Sequence, residues 1–202
     1  MTGLGMRRAV FLDRDGVLNR MVYHAEFGLV DSPQRVEELA LLPGAGEAVR
    51  HINELGLLAI VVTNQPGVAK GKCSLSALEG INERLERELA LAGAHLDGIY
   101  QCLHHPEALR EEYRVVCECR KPKAGLLVRA AREHGVGLNE SFMIGDGLTD
   151  VLAGRAAGCR TILLGHAKCD VCRKMDELDA HPDFVLPDLA AAVALIAELI
   201  GR

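Results

Sequence analysis

The stretch AVFLDRDG, residues 9–16, decides the fold, because four strand-forming apolar residues lead directly into Asp13, Asp15 and Gly16. Short apolar runs of this kind recur along the chain and alternate with longer segments of helical period. That alternation is typical of strand–helix units arranged around a parallel sheet. The sequence therefore predicts an α/β fold with a central parallel sheet flanked by helices.

The apolar runs predict strands at residues 9–12, 57–62, 97–102, 142–144, 161–164 and 183–186. Helical periodicity predicts helices at 44–55, 76–92, 125–134, 149–157 and 189–200, the second of them starting at a capping box of Ser76 and Glu79. Residues 21–42 have weak periodicity, so we expect a loop or small excursion there. No linker is long enough to divide the chain, and we expect a single domain over residues 1–202.

Composition excludes several classes of function. With 3% aromatic residues, no Trp and a net charge of -5, the chain lacks both stacking platforms and a concentrated basic face, so nucleic acid is not an expected partner. No apolar stretch approaches the roughly 20 residues that a membrane span needs. We expect a cytoplasmic monomer with no membrane partner.

Polar side chains follow several predicted strands. Asp13 and Asp15 come after the first strand, Thr63 after the second, and Asp146 after the strand at 142–144. Because the carboxyl ends of parallel strands converge on one crevice, we expect these residues to form one site. Three carboxylates packed together are costly without a cation, and hard oxygen ligands favour Mg²⁺. We therefore expect Mg²⁺ at Asp13, Asp15 and Asp146.

This residue set predicts chemistry at phosphorus. With a metal beside an incoming phosphate, Asp13 is a competent nucleophile, and Lys121 and Thr63 offer a positive charge, a hydroxyl and backbone N–H groups to the phosphoryl oxygens. Asp15 is then free to protonate the leaving alkoxide and to activate water. A single aspartate at a strand end is more often a cap, so the prediction depends on the whole set. For Asp150, an acid in the first turn of a helix is the simpler interpretation.

Four segments between residues 11 and 150, FLDRDGVLN, VVTNQPG, CRKPKAG and MIGDGLTD, resemble the ordered motifs of haloacid dehalogenase (HAD) superfamily phosphatases. The resemblance implies a Rossmann-like core with a minimal cap, an aspartyl-phosphate intermediate on Asp13 and acid–base catalysis by Asp15. Magnesium is implied on the same three aspartates, the second contributing its backbone carbonyl, with Asp150 behind them. Contacts to phosphate or substrate are implied for Thr63, Asn64, Arg120 and Lys121.

Two short cysteine-containing segments supply three thiolates and an imidazole, a ligand set that suits tetrahedral zinc. The predicted zinc ligands are Cys102, His104, Cys117 and Cys119. Closed four-coordinate sites of this type are structural, so zinc would staple residues 102–119 as a loop and hold Arg120 and Lys121 against the substrate. His105 is interpreted as a surface residue or a neighbour of the site. The alternative is a set of unconnected thiols.

The zinc segment is similar to that of the heptose bisphosphate phosphatases and the histidinol phosphatases. Members with the heptose substrate tend to carry the longer intervening loop, as this chain does. The resemblance implies cleavage of a heptose 1,7-bisphosphate at the 7-phosphate, with histidinol phosphate or another small phosphate ester as the alternative. A non-catalytic zinc-bearing binding module is the alternative from another class. Gly147 departs from these relatives, which have lysine at that position.

A second cysteine pair is formed by Cys169 and Cys172, with His166 and His181 nearby. A second zinc site or redox pair and a surface loop with two free thiols are both compatible with this spacing. Two further cysteines are expected to be small, buried or half-buried residues: Cys73 and Cys159.

Overall fold

The computed structural model describes residues 6–26, 28–165 and 169–201. The strands are β1 (Ala9–Leu12), β2 (Val22–His24), β3 (Leu29–Asp31), β4 (Leu58–Asn64), β5 (Gly98–Cys102), β6 (Phe142–Gly145), β7 (Arg160–Leu164) and β8 (Phe184–Leu186). The α-helices are α1 (Ala45–Glu54), α2 (Leu75–Leu91), α3 (Gly125–His134), α4 (Leu148–Ala157), α5 (Cys169–Leu178) and α6 (Leu189–Ile200). Short 3₁₀ turns lie at Val36–Glu38, Glu111–Tyr113 and Leu138–Glu140.

The main sheet has the strand order β5-β4-β1-β6-β7-β8, and every neighbouring pair is parallel. Its central register places Leu12 opposite Val61 on one side and Ile144 on the other. Strand β1 ends in this row and β6 ends one residue past it, whereas β4 continues to Asn64. Asp13, Thr63 and Asp146 therefore lie at the same edge of the sheet, as the sequence predicts.

Helices cover both faces of this sheet. Along β1, the side chains of Val10 and Leu12 pack with α1, α2 and α6, while Ala9 and Phe11 pack with α3 and α4. All four β1 residues are fully buried. This burial on both faces explains why the parallel strands are continuous apolar runs rather than alternating ones. Among the described residues, no helix is both long enough and apolar enough to cross a bilayer.

The predicted elements are confirmed, with shifts at their ends. Strand β4 runs on to Asn64, so Thr63 lies inside the strand rather than after it. The N-cap of helix α2 lies two residues earlier than predicted, because Ser74 and not Ser76 accepts a hydrogen bond from the backbone N–H of Ala77. Cys73 is half-buried and Cys159 is buried, as expected.

The segment between β1 and α1 is more ordered than its weak periodicity indicates. It contains the antiparallel hairpin β2–β3, which we call the hairpin. Both ends of this excursion are tied together at its base, where Asn19 bridges Leu41 and the backbone N–H of Leu42 donates to the carbonyl of Leu18 at 2.9 Å. The excursion thus leaves and re-enters the core at nearly one point.

The interpretation of residues 169–172 as part of a surface loop is wrong, because this stretch begins helix α5. Cys172 is an exposed free thiol on that helix. His166 and the side chain of Cys169 lie outside the described residues, so the pair as a metal or redox site stays a prediction.

Helix α4 approaches the sheet closely at Gly154. A Cβ atom at this position would lie 2.6 Å from Thr161 Cγ2 and 2.8 Å from Met143 Cβ, closer than real side chains pack. Helix α4 can therefore lie this close to strands β6 and β7 only because residue 154 is glycine.

We expect Gly154→Ala to lower the free energy of unfolding by up to about 2 kcal/mol, because overpacking of up to about 3 kcal/mol outweighs the preference of about 1 kcal/mol for alanine in a helix. Urea denaturation measures this difference. Ala156→Ser, at an exposed position of the same helix, should stay within about 0.5 kcal/mol of the parent. A stabilised Gly154→Ala protein would contradict the close packing.

Candidate active site

The site is built around the loop that follows β1. The backbone N–H of Asp13 donates to the carbonyl of Ile144 at 2.9 Å, which fixes the start of this loop against β6. Gly16 follows with a φ of 80°, in the left-handed region. A Cβ atom there would lie 2.0 Å from Asp146 Oδ2, so only glycine lets the loop pass over this carboxylate.

Three carboxylates cluster at the ends of β1 and β6. Asp13, Asp146 and Asp150 each place one oxygen within 4.8 Å of the others. Lys121 Nζ lies 3.0 Å from Asp13 Oδ1 and 2.5 Å from Asp150 Oδ1, and donates to the carbonyl of Val62 at 2.9 Å. We call these four charged side chains the carboxylate cluster.

Charge in the carboxylate cluster is unbalanced. Burial, followed by the charge of Asp13, raises the pKa of Asp146 to about 6 and that of Asp150 to about 7. Burial alone would lower the pKa of Lys121, but Asp13 and Asp150 outweigh it and the pKa is raised. One ammonium thus faces three carboxylates. A divalent cation with oxygen ligands fits this excess of negative charge.

Lys121 is held through its main chain as well as its side chain. Asn64 Nδ2 donates to the Lys121 carbonyl at 3.1 Å, and the Lys121 N–H donates to Asn64 Oδ1 at 3.0 Å. The family resemblance implies that Asn64 contacts substrate, whereas its amide here pairs with the Lys121 backbone. Thr63 is buried next to it, and its hydroxyl oxygen accepts from Gln65 Nε2 at 3.0 Å.

The side chain of Asp15 lies outside the carboxylate cluster and is surrounded by donors. Its Oδ1 accepts from Arg14 Nε at 3.3 Å and from Asn19 Nδ2 at 2.9 Å. Its Oδ2 accepts from Gln65 Nε2 at 2.5 Å and from Ser32 Oγ at 3.0 Å, and Arg14 Nη2 lies 3.2 Å from both oxygens. The Asp15 carboxylate is therefore not among the oxygens that lie close enough together to share a metal ion.

Sequence reasoning missed the four residues that surround Asp15. Two of them carry a signal. Arg14 lies between the two aspartates, and Gln65 follows Thr63 by two positions, which places both on the same side of an extended segment. Asn19 and Ser32 carry no such signal, because the folding of residues 17–42 back over the sheet brings them to the site.

The cysteine–histidine cluster has the shape of a tetrahedral metal site. One ligand atom from each of Cys102, His104, Cys117 and Cys119 lies within 4.8 Å of the others. The sulfurs are 3.2–3.6 Å apart, and His104 Nδ1 lies 3.3 Å from Cys119 Sγ. Zinc–sulfur bonds of about 2.3 Å give tetrahedron edges of about 3.8 Å, so a small expansion accommodates the ion. His105 is not a member of this cluster; its Nδ1 accepts from the backbone of Glu107 at 3.0 Å.

Thiol acidity differs within this cluster. Burial and the hydrogen bond with Cys119 raise the pKa of Cys102. Burial would raise the pKa of Cys117 too, but hydrogen bonds from Cys119, the Arg120 backbone and Cys102 outweigh it and lower this pKa to about 7. Arg120 Nη1 also donates to the His104 carbonyl at 3.2 Å. The cluster is thereby connected to the residue that precedes Lys121.

Comparison with known proteins gives consistent matches. Residues 118–192 match the HAD-hydrolase-like family model. The chain is 40% identical over 198 residues to a D-glycero-D-manno-heptose-1,7-bisphosphate 7-phosphatase of Thermosynechococcus vestitus, covering 94% of this chain and 95% of that protein. A corresponding enzyme of Escherichia coli, named for the beta anomer, is 38% identical over 182 residues, 90% of each chain.

Solved structures agree with these matches. The D,D-heptose 1,7-bisphosphate phosphatase of B. bronchiseptica, crystallised with magnesium and phosphate, has a TM-score of 0.77 and 29% identity, covering 95% of this chain and 99% of that one. A HAD-like phosphatase of Mesorhizobium loti has a TM-score of 0.78 and 29% identity, covering 98% and 88%. With its strand order, its carboxylate cluster and relatives of 38–40% identity over nearly its whole length, the chain belongs to the heptose bisphosphate phosphatase family of HAD hydrolases.

Proposed function

We propose that this protein hydrolyses the 7-phosphate of D-glycero-D-manno-heptose 1,7-bisphosphate through a phosphoryl group carried on Asp13. The observation that carries the proposal is Lys121 Nζ at 3.0 Å from Asp13 Oδ1, inside a cluster of three carboxylates at the carboxyl end of the sheet. The substrate is supported by the names of relatives that are 38–40% identical over at least 90% of this chain.

Asp13 is prepared for attack through its Oδ2 atom. Both Lys121 Nζ and the backbone N–H of Arg14, at 2.7 Å, contact Oδ1. Among the described residues no hydrogen bond reaches Oδ2, so this oxygen is available to form the bond to phosphorus while the bond from phosphorus to the sugar oxygen breaks. The two contacts on Oδ1 fix the carboxylate plane for that attack.

The cation that we propose at this site is Mg²⁺, held by Asp13, Asp146 and the backbone carbonyl of Asp15. When bound, it offsets the negative charge of the phosphate and of the surrounding carboxylates. The excess of carboxylates over ammonium groups described above supports this assignment.

Lys121 and Thr63 complete the contacts to the phosphoryl group in this proposal. Lys121 is buried and keeps its charge, since Asp13 and Asp150 raise its pKa. The Thr63 oxygen already accepts from Gln65, which leaves its own hydrogen for a phosphoryl oxygen. Asn64 contributes by fixing the Lys121 backbone. Arg120 donates from Nη1 to the His104 carbonyl, and its other guanidinium N–H groups are the ones that we propose contact the substrate.

Asp15 is the acid–base group of the proposed mechanism. In the first half-reaction it gives a proton to the sugar oxygen as that oxygen leaves phosphorus. In the second it takes a proton from water as the water oxygen attacks phosphorus and Asp13 departs. Its position two residues from Asp13, beyond the carboxylate cluster, leaves it free of the metal through its side chain.

We further propose that Cys102, His104, Cys117 and Cys119 hold a structural zinc ion. Lys121 follows the last of these ligands by two positions, so the zinc site would fix the segment that carries it. Thiolate ligation needs reduced cysteines. All six cysteines with described side chains are free, which suits a reducing compartment, and we therefore place the reaction in the cytoplasm.

Phosphate release from a panel of esters tests the substrate. We expect Mg²⁺-dependent turnover of D-glycero-D-manno-heptose 1,7-bisphosphate to exceed that of histidinol phosphate and of common hexose phosphates, and to stop when the metal is chelated. Both heptose anomers belong in the panel. Faster turnover of another ester would contradict the proposed substrate but not the mechanism. No turnover of any ester would favour a non-catalytic binding module.

Replacing the nucleophile tests the mechanism. Asp13→Asn should lower kcat by about 1,000-fold or more while the protein still folds, because the amide cannot form the covalent intermediate and Lys121 keeps Asp150 as a partner. Asp176→Asn, at an exposed position on α5, is the matched control and should keep the parent rate. An Asp13→Asn protein with the parent rate would exclude Asp13 as the nucleophile.

Metal analysis tests the zinc site. We expect about one zinc per chain in purified protein, and Cys119→Ser should lose the ion, melt at a lower temperature and turn over substrate more slowly, because structural zinc contributes directly to folding. Cys172→Ser, which alters an exposed thiol, should keep the zinc content. Protein without zinc that melts normally would contradict the assignment.

A further inference from the structure

The hydrogen-bond partners of Asp15 differ in whether they can pair with its ionised form only or also with its protonated form. Arg14, Asn19 and Gln65 all present N–H groups to its oxygens, and these groups can only donate. Each of them therefore matches the ionised carboxylate. The proposed mechanism, however, requires Asp15 to carry a proton between its two half-reactions.

Ser32 is the exception. Its Oγ lies 3.0 Å from Asp15 Oδ2, and a hydroxyl can act as donor or as acceptor by rotating its hydrogen. While Asp15 is ionised, the hydroxyl donates to Oδ2. Once Oδ2 carries a proton, Asp15 can donate that proton to Ser32 Oγ. Among the contacts of Asp15 in the described residues, this one satisfies both states without moving a heavy atom.

The backbone of Ser32 is fixed independently of Asp15. Its N–H donates to Asp31 Oδ1 at 2.8 Å, and its carbonyl lies 3.0 Å from Nε2 of the buried His24. Asp31 forms an ion pair with Lys72, on the loop before α2. Burial would raise the pKa of Asp31, but its hydrogen bonds with Lys72 and with the Ser32 backbone outweigh it and lower the pKa. Both strands of the hairpin thus hold the Ser32 backbone in place, and with it the position from which the hydroxyl reaches Asp15.

We infer that Ser32 is a positioning residue that keeps Asp15 aligned in both of its protonation states. This inference rests on the proposed acid–base role of Asp15. During the first half-reaction the proton passes from Asp15 Oδ2 to the departing sugar oxygen, and Ser32 returns to donating. During the second, the water proton moves to Oδ2 and Ser32 accepts from it. The hydroxyl hydrogen of Ser32 rotates but is not transferred.

Two substrates separate this role from a general structural one. A sugar phosphate releases an alkoxide that must be protonated, whereas p-nitrophenyl phosphate releases nitrophenolate, which leaves without a proton. The second half-reaction needs Asp15 with either substrate. A loss of Asp15 alignment therefore slows every step of sugar phosphate turnover but spares the first step with p-nitrophenyl phosphate.

The experiment compares Ser32→Ala, Ser32→Thr and Ser32→Val by steady-state and rapid-mixing kinetics with heptose 1,7-bisphosphate and p-nitrophenyl phosphate. Loss of one hydrogen bond to a charged group predicts that Ser32→Ala lowers kcat on the sugar about tenfold with KM unchanged. It should also keep the parent rate of the nitrophenolate burst and slow the turnover that follows. Threonine and valine share a shape, so a restored kcat in Ser32→Thr alone assigns the effect to the hydroxyl.

Two control variants complete the design. Ser76→Ala, an exposed serine on α2, should behave as the parent. Asp15→Asn should lower sugar turnover by about 100-fold or more while keeping the burst. If Asp15→Asn is slow but Ser32→Ala and Ser32→Val match the parent, the role of Ser32 is overturned and the proposed mechanism stands. If Asp15→Asn matches the parent, both fail.

A raised KM or a slowed burst in Ser32→Ala would also overturn the inference, because those changes report a disturbed substrate site rather than a misaligned Asp15. Thermal melting identifies a variant that does not fold, and the pair Ser32→Thr and Ser32→Val then decides the question.

Discussion

A buried ammonium group shared between two carboxylates organises this protein. Lys121 contacts Asp13 and Asp150 and is 3% exposed, so water barely screens its charge. Removing one partner of a buried pair typically costs about 3–5 kcal/mol, because the remaining charge stays buried without compensation. The rest of the site is arranged to satisfy this group: a strand carbonyl accepts its third hydrogen, and the Asn64 amide holds its backbone.

This interaction links the sheet to a segment that has no regular secondary structure. Asp13 and Asp146 follow the ends of strands β1 and β6, whose relative positions follow from parallel register, and Asp150 lies in the first turn of α4. Lys121 comes from a segment without regular structure, and such a segment cannot position a charge by itself. The cysteine–histidine cluster lies immediately before it and gives this segment an anchor of its own. The position of Lys121 therefore depends both on the carboxylates at the edge of the sheet and on the cysteine–histidine cluster.

The sequence alone predicts those parts of the structure that depend on short local patterns of apolar and polar residues. The strands are short apolar runs that end in polar residues, so their order along the chain and the meeting of Asp13, Thr63 and Asp146 at one edge are readable. The neighbours of Asp15 are not, because Ser32 reaches it through the tertiary path of a segment with little periodicity. Helix α5 is not predicted either, because the spacing of Cys169 and Cys172 is equally typical of a metal-binding or redox loop.

The excursion between β1 and α1 begins and ends at one narrow base, where Asn19 bridges Leu41. Because this base, which we call the neck, is narrow, residues of the excursion can change without changing the sheet. Insertions and deletions beyond the neck would alter the excursion, while Asp13 keeps its place directly after β1. A lineage could therefore vary the excursion without displacing the carboxylate cluster, provided that a group in the place of Ser32 still reaches Asp15.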